Sequence, residues 1–520
     1  MTITDQWKRL SPAALNFWIQ TFSLIAIFFE GYDQGVMGGV NSSPDYVTTV
    51  NIGTADGRVT DVTKQGGIVS IYYLGAIFGC FAGGWVADRV GRINGTLVGA
   101  IFALIGGALQ AATQSAAFIL GARVVTGIGT GALTAIIPVY ANYLGIAIAY
   151  WLDFGLSFVP GANGLAGYSS IRWRFLLAFQ CLPAILLVAG IKFLPDSPRY
   201  LISAGYTEQA REVLDHVRAG STEDVDREFA EMALASKDVH KSSPIEFARI
   251  LVGRSTSRAP NLARRAWLCL FLQIMASYTA ITAVTAYAPI LLSAAGYSQI
   301  KQNGLAGGLS TVGIVGTIIS AWVVDRFGRR RCLMWGAGGM VVVNVIAGAL
   351  YEASRRQPSK ASSIAPAAVL MLFLFNLIYA STWGTVAFLI PTEIFPSELR
   401  AQGNGFGVTG WAIGVGTTTL ANPSLFAHIE NRAYFLFAGL NLLWIVVVYL
   451  FYPETKDRSL EAINILFTPR SPFTWAAERA WHEHHNGDIL ADEAQHEVRS
   501  VCETHEKKHC EETAQAASAA

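Results

Sequence analysis

Twelve apolar runs, each roughly 20 residues long, constrain the fold of this 520-residue chain. They lie near residues 15–35, 67–87, 94–113, 117–138, 142–160, 175–194, 265–293, 303–324, 332–351, 366–390, 403–424 and 433–452. Because an α-helix rises about 1.5 Å per residue, such a run crosses the roughly 30 Å hydrocarbon core of a bilayer. The chain is 52% hydrophobic and only 14% charged, with a mean hydropathy of +0.38. The sequence therefore predicts an all-α integral membrane protein.

Charge placement predicts four parts of the chain. They are an N-terminal six-helix bundle (1–194), a polar linker (195–264), a C-terminal six-helix bundle (265–452) and a polar tail (453–520). Lys and Arg collect in alternate loops, which favours a cytoplasmic position for those loops. We therefore expect both termini in the cytoplasm and the loop over residues 41–64 outside.

One phrase occurs twice, six runs apart. GWVADRVGR closes the second run at Gly84 to Arg92, and AWVVDRFGRR closes the eighth at Ala321 to Arg330. Internal repeats are typical of transporters, in which two similar bundles rock about a site at their interface. The glycines permit tight turns, and the charged side chains can bond to helix ends and hold one face closed. The candidate gating residues from these turns are Asp88, Arg89, Arg92, Asp325, Arg326 and Arg329.

These motifs, taken with five others, resemble the sugar porter family of the major facilitator superfamily, most closely its fungal members, over residues 20–465. The others are GYDQGV from Gly31, RVVTGIG from Arg123, PDSPR from Pro195, PTEIFP from Pro391 and PETK from Pro453. The resemblance implies a twelve-helix major facilitator fold that moves monosaccharides, polyols or related compounds, by facilitation or by proton symport. It also adds Glu393 and Arg400 to the gating set.

Asp33 and Arg123 are ionisable residues inside predicted spans. A charge there costs about 2.5–3.5 kcal/mol even on the mild insertion scale, so the two should face the protein interior and pair. In proton-coupled members of the resembled family these positions form a protonation switch, so the resemblance implies proton symport. A static ion pair that braces two helices is the alternative.

The polar residues that normally contact a sugar are depleted. Where the resembled family has an Asn in span eight, a Trp in span ten and an Asn in span eleven, this chain has Gly313, Phe388 and Gly410. A substrate that is smaller or less hydroxylated than a hexose is therefore an open alternative. Sugar recognition needs amides, hydroxyls and an aromatic platform. Candidates for substrate binding are Gln273, Thr279, Thr282, Tyr287, Phe388 and Trp411, each weighed against simple helix packing.

The junction between the fourth and fifth spans departs from the resembled family. Pro138 to Tyr140 runs directly into Ala141 to Trp151, with no charged loop between. The family has a longer segment here, with an acidic-to-Arg motif and the start of span five. We expect a short fifth span, and a missing exon or a natural deletion would explain it. If the gap is real in the protein, we expect transport to be impaired or lost.

The leading hypothesis is a plasma-membrane importer of a sugar or polyol, coupled to protons. A proton-independent facilitator and a transporter-like nutrient sensor are the alternatives. An enzyme is not expected, because no catalytic constellation occurs in the spans. No cofactor, nucleic-acid partner or metal site is expected either; His482, His484 and His485 belong to a solvated tail. The expected partners are the solute, protons and the lipid bilayer.

Overall fold

The computed structural model of the chain describes ten ranges. They are residues 7–54, 57–136, 142–159, 169–218, 222–237, 244–255, 259–293, 296–396, 399–458 and 460–484. Two features of the sequence lie outside them: the junction at 137–141, and the tail from His485 onward.

Helices make up the first half. They are α1 (Pro12–Val40), α2 (Pro44–Thr49), α3 (Val62–Val90), α4 (Arg92–Ala111), α5 (Ala116–Ile136), α6 (Asn142–Leu156), α7 (Ser170–Phe179) and α8 (Cys181–Gly190). Local signals fix where they begin. The Ser11 hydroxyl accepts a hydrogen bond from the backbone N–H of Ala14, with Pro12 at the first helical position, and Asp61 caps α3 in the same way. The predicted sixth span is divided between α7 and α8.

Four helices form the described part of the linker: α9 (Pro198–Ser203), α10 (Thr207–Arg218), α11 (Thr222–Lys237) and α12 (Pro244–Leu251). The amphipathic α10 buries Ala210, Val213 and Leu214, and the first two share a cluster with Trp7 and Leu15 of the N-terminal half. Apolar burial thus attaches the start of the linker to the bundle that precedes it.

The second half contains two broken spans. The seventh consists of α13 (Leu262–Ser277), α14 (Ile281–Ala286) and α15 (Ala288–Ser293), and the tenth of α18 (Ala361–Ser381) and α19 (Trp383–Glu393). The continuous spans are α16 (Gln299–Phe327), α17 (Arg329–Arg356), α20 (Arg400–Ile429) and α21 (Arg432–Phe451). The short α22 (Leu460–Leu466) and a helix over 474–484 follow.

Nine helical segments of the described chain are long and apolar enough to cross a membrane. The short α6, the broken α13–α15 segment and the long α20 complete a set of about twelve, in two groups of six. The fold class predicted from the apolar runs is confirmed. The domain boundaries at residues 194, 264 and 452 stay predictions.

The two halves meet along two pairs of helices. The first pair is α3 with α20, where Tyr73 and Trp411 pack edge to face with ring centroids 5.4 Å apart. The second pair is α6 with α16, where the Trp151 indole N–H donates to the Thr311 hydroxyl at 3.0 Å. A central cavity lies between the pairs.

The described part of the fifth span is helix α6, and the expected shortness of the whole span stays a prediction, because residues 137–141 and 160–168 lie outside the described ranges. Helix α6 has 15 residues, about 22 Å of rise, against a hydrocarbon core of about 30 Å. Glycines on both helices allow α6 to pack closely against α1. A Cβ at Gly145 of α6 would lie 2.3 Å from the carbonyl oxygen of Phe28, and Gly39 of α1 lies against Asp153. The first described residue of the span, Asn142, is packed against the backbone of Gly31. The N-terminus of α6 therefore lies part-way along α1.

Candidate functional site: a central cavity and a buried ion pair

The central cavity has a volume of about 100 Å³, several times the roughly 10–15 Å³ that one water needs. Both halves contribute to its wall. The lining consists of Gln34, Tyr73, Asn142, Tyr143, Ile146, Gln273, Ser277, Ile281, Thr282, Thr285, Ala286, Thr317, Tyr379, Gly384, Thr385, Phe388, Trp411 and Val415. Among the described residues this lining has no Asp, Glu, Lys or Arg. It offers a neutral solute amides, hydroxyls and aromatic faces.

Four of the six predicted substrate residues line this cavity: Gln273, Thr282, Phe388 and Trp411. The Gln273 amide N–H₂ also donates to the carbonyl oxygen of Ala387 at 3.0 Å, which fixes its side chain between α13 and α19. The amide carbonyl of Gln273 is left available as an acceptor for a solute hydroxyl.

Thr279 and Tyr287 do not belong to the lining. The Thr279 hydroxyl is buried and donates to the carbonyl oxygen of Ala276 at 2.7 Å. The Tyr287 hydroxyl donates to the carbonyl oxygen of Thr419 at 2.8 Å, between α14 and α20. The Tyr287 side chain thus joins two helices, whereas the Thr279 side chain bonds within the end of α13.

A break in the seventh span brings Thr282 and Thr285 to the cavity. Ala280 separates α13 from α14 and has φ +98°, a left-handed backbone that alanine rarely adopts. The helix restarts at Ile281, and the Thr282 hydroxyl accepts a hydrogen bond from the Thr418 hydroxyl at 3.0 Å. Broken helices of this kind expose polar side chains and backbone at the centre of a membrane protein.

The two glycines that replace the family's asparagines are required by packing. A Cβ at Gly313 would lie 2.2 Å from Cδ1 of Tyr143, and one at Gly410 would lie 2.3 Å from the carbonyl oxygen of Leu270. The Tyr143 hydroxyl then donates to Asn376 Oδ1 at 3.1 Å, linking α6 to α18. The start of α6 therefore occupies space next to Gly313.

Asp33 and Arg123 come together between α1 and α5. Oδ2 of Asp33 lies 3.6 Å from Nη1 of Arg123, and both side chains are almost completely buried. Gln110 of α4 lies between them: its amide N–H₂ is 3.4 Å from Asp33 Oδ1, and its carbonyl oxygen is 3.4 Å from Arg123 Nη1. The guanidinium also lies over the Tyr72 ring, 4.8 Å from its centroid. Because the Asp33–Arg123 ion pair is long and the Gln110 amide lies between the two side chains, a small movement of α1 against α5 can separate them.

The repeated turns lie on one membrane face, here called the motif face. Gly91 and Gly328 end α3 and α16 with φ +96° and +89°, and each is followed at once by the next span. A carboxylate caps each following helix: Asp196 Oδ1 accepts from the Arg92 N–H at 2.9 Å, and Glu454 Oε1 accepts from the Arg329 N–H at 2.8 Å. The PDSPR and PETK motifs thus supply equivalent N-terminal caps in the two halves.

In the second half the gating candidates form a network. Nη2 of Arg329 lies 2.8 Å from Glu393 Oε1, and its Nη1 lies 3.4 Å from Asp325 Oδ1. The Thr455 hydroxyl donates to Glu393 Oε2 at 2.6 Å. The Arg326 guanidinium lies over the Trp322 ring, at 4.9 Å from its centroid. This network joins the ends of α16, α17 and α19.

The first-half candidates are arranged differently. The Arg89 guanidinium lies over the Trp85 ring, 4.1 Å from its centroid. The Arg92 side chain is exposed, and its backbone N–H donates to Asp196 Oδ1. Asp88 lies half-buried one turn before Arg92. Arg400 begins α20, and its side chain lies outside what the structure describes.

The face that carries the end of α1 and the start of α3, here called the opposite face, has contacts between the halves. The Tyr150 hydroxyl donates to the carbonyl oxygen of Thr285 at 2.5 Å. The Asn303 amide donates to the Ser157 hydroxyl at 2.7 Å. In the conformation described, these two hydrogen bonds join the halves on this side of the cavity.

The described residues, which include His482 and His484, contain no group of three or more His, Cys, Asp or Glu side chains placed to hold a metal ion.

The family described as "Sugar (and other) transporter" matches residues 18–144 and 143–467. The chain belongs to this family. The MFS-type transporter criB of Aspergillus cristatus is 29% identical over 466 residues, covering 85% of this chain and 91% of criB. The sugar transporter STL1 of Saccharomyces cerevisiae is 29% identical over 501 residues, covering 89% and 83%. The protein is therefore a multi-pass membrane transporter by family, in agreement with the resemblance in its motifs.

Solved transporter structures share its fold. The proton:xylose symporter XylE bound to 6-bromo-6-deoxy-D-glucose superposes with a TM-score of 0.69 at 21% identity, covering 88% of this chain and 99% of that one. A partially occluded inward-open form of the E. coli protein gives the same score at 20% identity.

The two family matches meet at residues 143–144. This transporter therefore departs from its family where α6 begins and where the sequence lacks the charged loop. The interrupted match and the missing charged loop fall at the same place, and the short fifth span expected there stays a prediction.

Several lining residues of this transporter were not among the sequence candidates. The clearest are Gln34 and Asn142, two amides of the first half that share the cavity lining with Gln273 of the second half. Gln34 follows Asp33 in the GYDQGV motif, and that adjacency is the one signal that could have drawn attention to it. Asn142 gave none, because its position depends on where α6 begins.

Proposed function

We propose that this protein moves a monosaccharide, polyol or related small solute across the plasma membrane by alternating access, in symport with protons. The proposal is supported mainly by the arrangement of a neutral, amide-rich cavity at the interface of the halves, with a buried Asp33–Arg123 pair beside it. The cavity would bind the solute, and the pair would bind and release the proton.

The lining supports a hydroxylated, uncharged solute. Gln34, Asn142 and Gln273 offer amide donors and acceptors, while Phe388 and Trp411 offer aromatic faces for the apolar side of a ring. Relatives and fold neighbours named as sugar transporters point the same way. We assign solute contact to Gln273, Thr282, Phe388 and Trp411 and not to Thr279 or Tyr287.

Coupling would depend on the long Asp33–Arg123 contact. With the pair in place, Arg123 favours the charged form of Asp33; when the helices separate, the desolvated carboxylate takes up a proton. The cycle thus alternates between a paired state and a protonated state. Within this cycle, the Arg329 network with Glu393 and the Asp88–Arg92 turn would fix the helix ends of each half that meet when the motif face is shut, with the termini on the cytoplasmic side.

The test is uptake of radiolabelled D-xylose, D-glucose, D-mannitol and glycerol in a transporter-deficient host, at acid and neutral pH. The parent is compared with Asp33→Asn, which keeps the shape and removes the titratable group. We expect acid-stimulated accumulation in the parent and none in Asp33→Asn. Uptake that does not respond to pH would replace symport by facilitation.

A transporter-like sensor is the second candidate, and the 15-residue α6 favours it. A span too short for the bilayer would hinder the rocking of one half against the other. No uptake of any of the four solutes by protein that reaches the cell surface would support this candidate.

A further inference from the structure

Helix α1 carries a second buried carboxylate, Glu30, one turn before Asp33. Its side chain is 2% exposed. Residues three apart on a helix have Cβ atoms about 5–6 Å apart on one face, but the two carboxyls have different partners: Asp33 contacts Arg123 and Gln110, and Glu30 contacts Gln34. Acidic side chains at this depth are rare and are functional candidates by default.

The hydrogen bonds of Glu30 connect it to the cavity. Gln34, which lines the cavity, places its amide N–H₂ 3.4 Å from Glu30 Oε1. On the other side Glu30 contacts the Thr134 hydroxyl. That hydroxyl also lies 2.8 Å from the carbonyl oxygen of Thr130, and its single hydrogen can be donated to either oxygen.

No basic side chain in the described part of the chain forms an ion pair with Glu30. The charged or titratable groups around it are Asp33 on its own helix, Tyr72 and Tyr73 on α3, and Arg123 on α5, which contacts Asp33 instead. On α6, Tyr150 and Asp153 lie against Gly38 and Gly39, more than two turns away. On α8, Cys181 faces α4.

One arginine thus accompanies two carboxyls. The Asp33–Arg123 pair is neutral by itself, so Glu30, which has no basic partner among the described residues, is neutral only when it carries a proton. While Asp33 is paired with Arg123, the proton belongs on Glu30. Asp33 itself is enclosed by Gln110 and Arg123 and is absent from the cavity lining, whereas Glu30 is separated from the cavity by the single amide of Gln34.

We propose that Glu30 is a second proton-binding carboxyl, which exchanges protons with the cavity while Asp33 is paired with Arg123. When the Gln34 amide turns into the cavity, the Glu30 carboxylate accepts a proton from hydronium and releases water. When the cavity opens to the other side of the membrane, the Glu30 carboxyl gives that proton to a water molecule, which leaves as hydronium, and becomes charged again. The inference rests on the proton coupling proposed above and adds a second proton-binding group to it.

The experiment uses the purified full-length protein in liposomes, with whichever of the four labelled solutes is taken up fastest in cells. Two rates are measured: accumulation driven by an imposed proton gradient, and exchange of labelled for unlabelled solute at equal pH on both sides. Pyranine inside the liposomes reports proton entry with the solute. The variants are Glu30→Gln, Glu30→Asp, and Glu352→Gln as a control at a carboxylate paired with Arg356 at the end of α17.

We expect Glu30→Gln to exchange solute at close to the parental rate, and to lose gradient-driven accumulation and proton entry by roughly tenfold or more. Glu30→Asp should recover part of both, and Glu352→Gln should match the parent. Full coupling in Glu30→Gln would overturn the inference alone. Loss of exchange together with accumulation would also overturn it, because Glu30 would then serve solute binding or folding. A parent that shows no coupling would overturn the proposed symport itself.

Discussion

Thr279 and Thr282 are a matched pair of residues on either side of the break in the seventh span. Each hydroxyl bonds to a backbone carbonyl, but only Thr282 lines the cavity. We expect Thr282→Val, which keeps the shape, to raise the KM for the solute about 3- to 10-fold, the worth of one hydrogen bond of about 0.5–1.5 kcal/mol. Concentration-dependent uptake measures this.

Thr279→Val serves as the control because it removes a hydroxyl of the same kind from outside the cavity. Its KM should stay at the parental value. Equal increases for both variants would show that helix packing, and not solute contact, explains the effect of Thr282.

Residue identity alone predicted only part of the cavity lining. Gln273 and Trp411 could be selected because amides and aromatic rings suit a hydroxylated solute. Thr279 has the same side chain as Thr282, and its position outside the cavity results from the left-handed backbone at Ala280. No pattern in the sequence predicts that backbone conformation. The glycine at 313 looked like a lost contact, whereas it makes room for Tyr143.

At the scale of elements, the repeated turns depend on their glycines. Gly91 and Gly328 have positive φ, and a Cβ would lie 2.0 Å from Asp196 Oδ2 in the first turn and 2.6 Å from Glu454 Oε2 in the second. Gly91→Ala and Gly328→Ala should therefore each destabilise the protein by about 1–3 kcal/mol, through backbone strain and displacement of the capping carboxylate. Thermal unfolding of the purified protein in detergent measures this.

Gly84 provides the control within the same phrase. It lies in α3, and a Cβ there would meet nothing within 4 Å. Gly84→Ala should leave the melting temperature unchanged or raise it, since alanine favours a helix by up to about 1 kcal/mol over glycine. A fall as large as that of Gly328→Ala would refute the argument from turn geometry.

The elements themselves followed closely from the sequence, because each apolar run must satisfy its backbone within one helix. The position of each helix relative to its neighbours could not be predicted from the sequence. The sequence indicated a short fifth span, but the packing of Asn142 against Gly31 depends on tertiary contacts. The division of the tenth span at Thr382 was likewise not indicated by composition.

In the whole molecule, hydrogen bonds join the two halves on the side of the cavity that faces the opposite face. The hydrogen bonds Tyr150–Thr285 and Asn303–Ser157 cross from one half to the other. The ion pairs of Arg329, in contrast, stay within the second half. Alternating access therefore requires the contacts between α6 and α16 to open in each cycle.

Linking α6 to α16 on the opposite face should stop transport. The double variant carries Ser157→Cys and Asn303→Cys, whose parent side chains lie 2.7 Å apart. A short bifunctional thiol reagent should link the two cysteines and abolish uptake. If the reagent links them through disulfides, a reductant should restore uptake. The control is Asn94→Cys with Lys192→Cys, where the parent side chains also lie 2.7 Å apart but belong to one half; linking them should leave uptake intact, because the halves still move as bodies. Continued uptake after complete linkage of the first pair would mean that the halves need not separate here, and alternating access by rocking would be wrong for this protein.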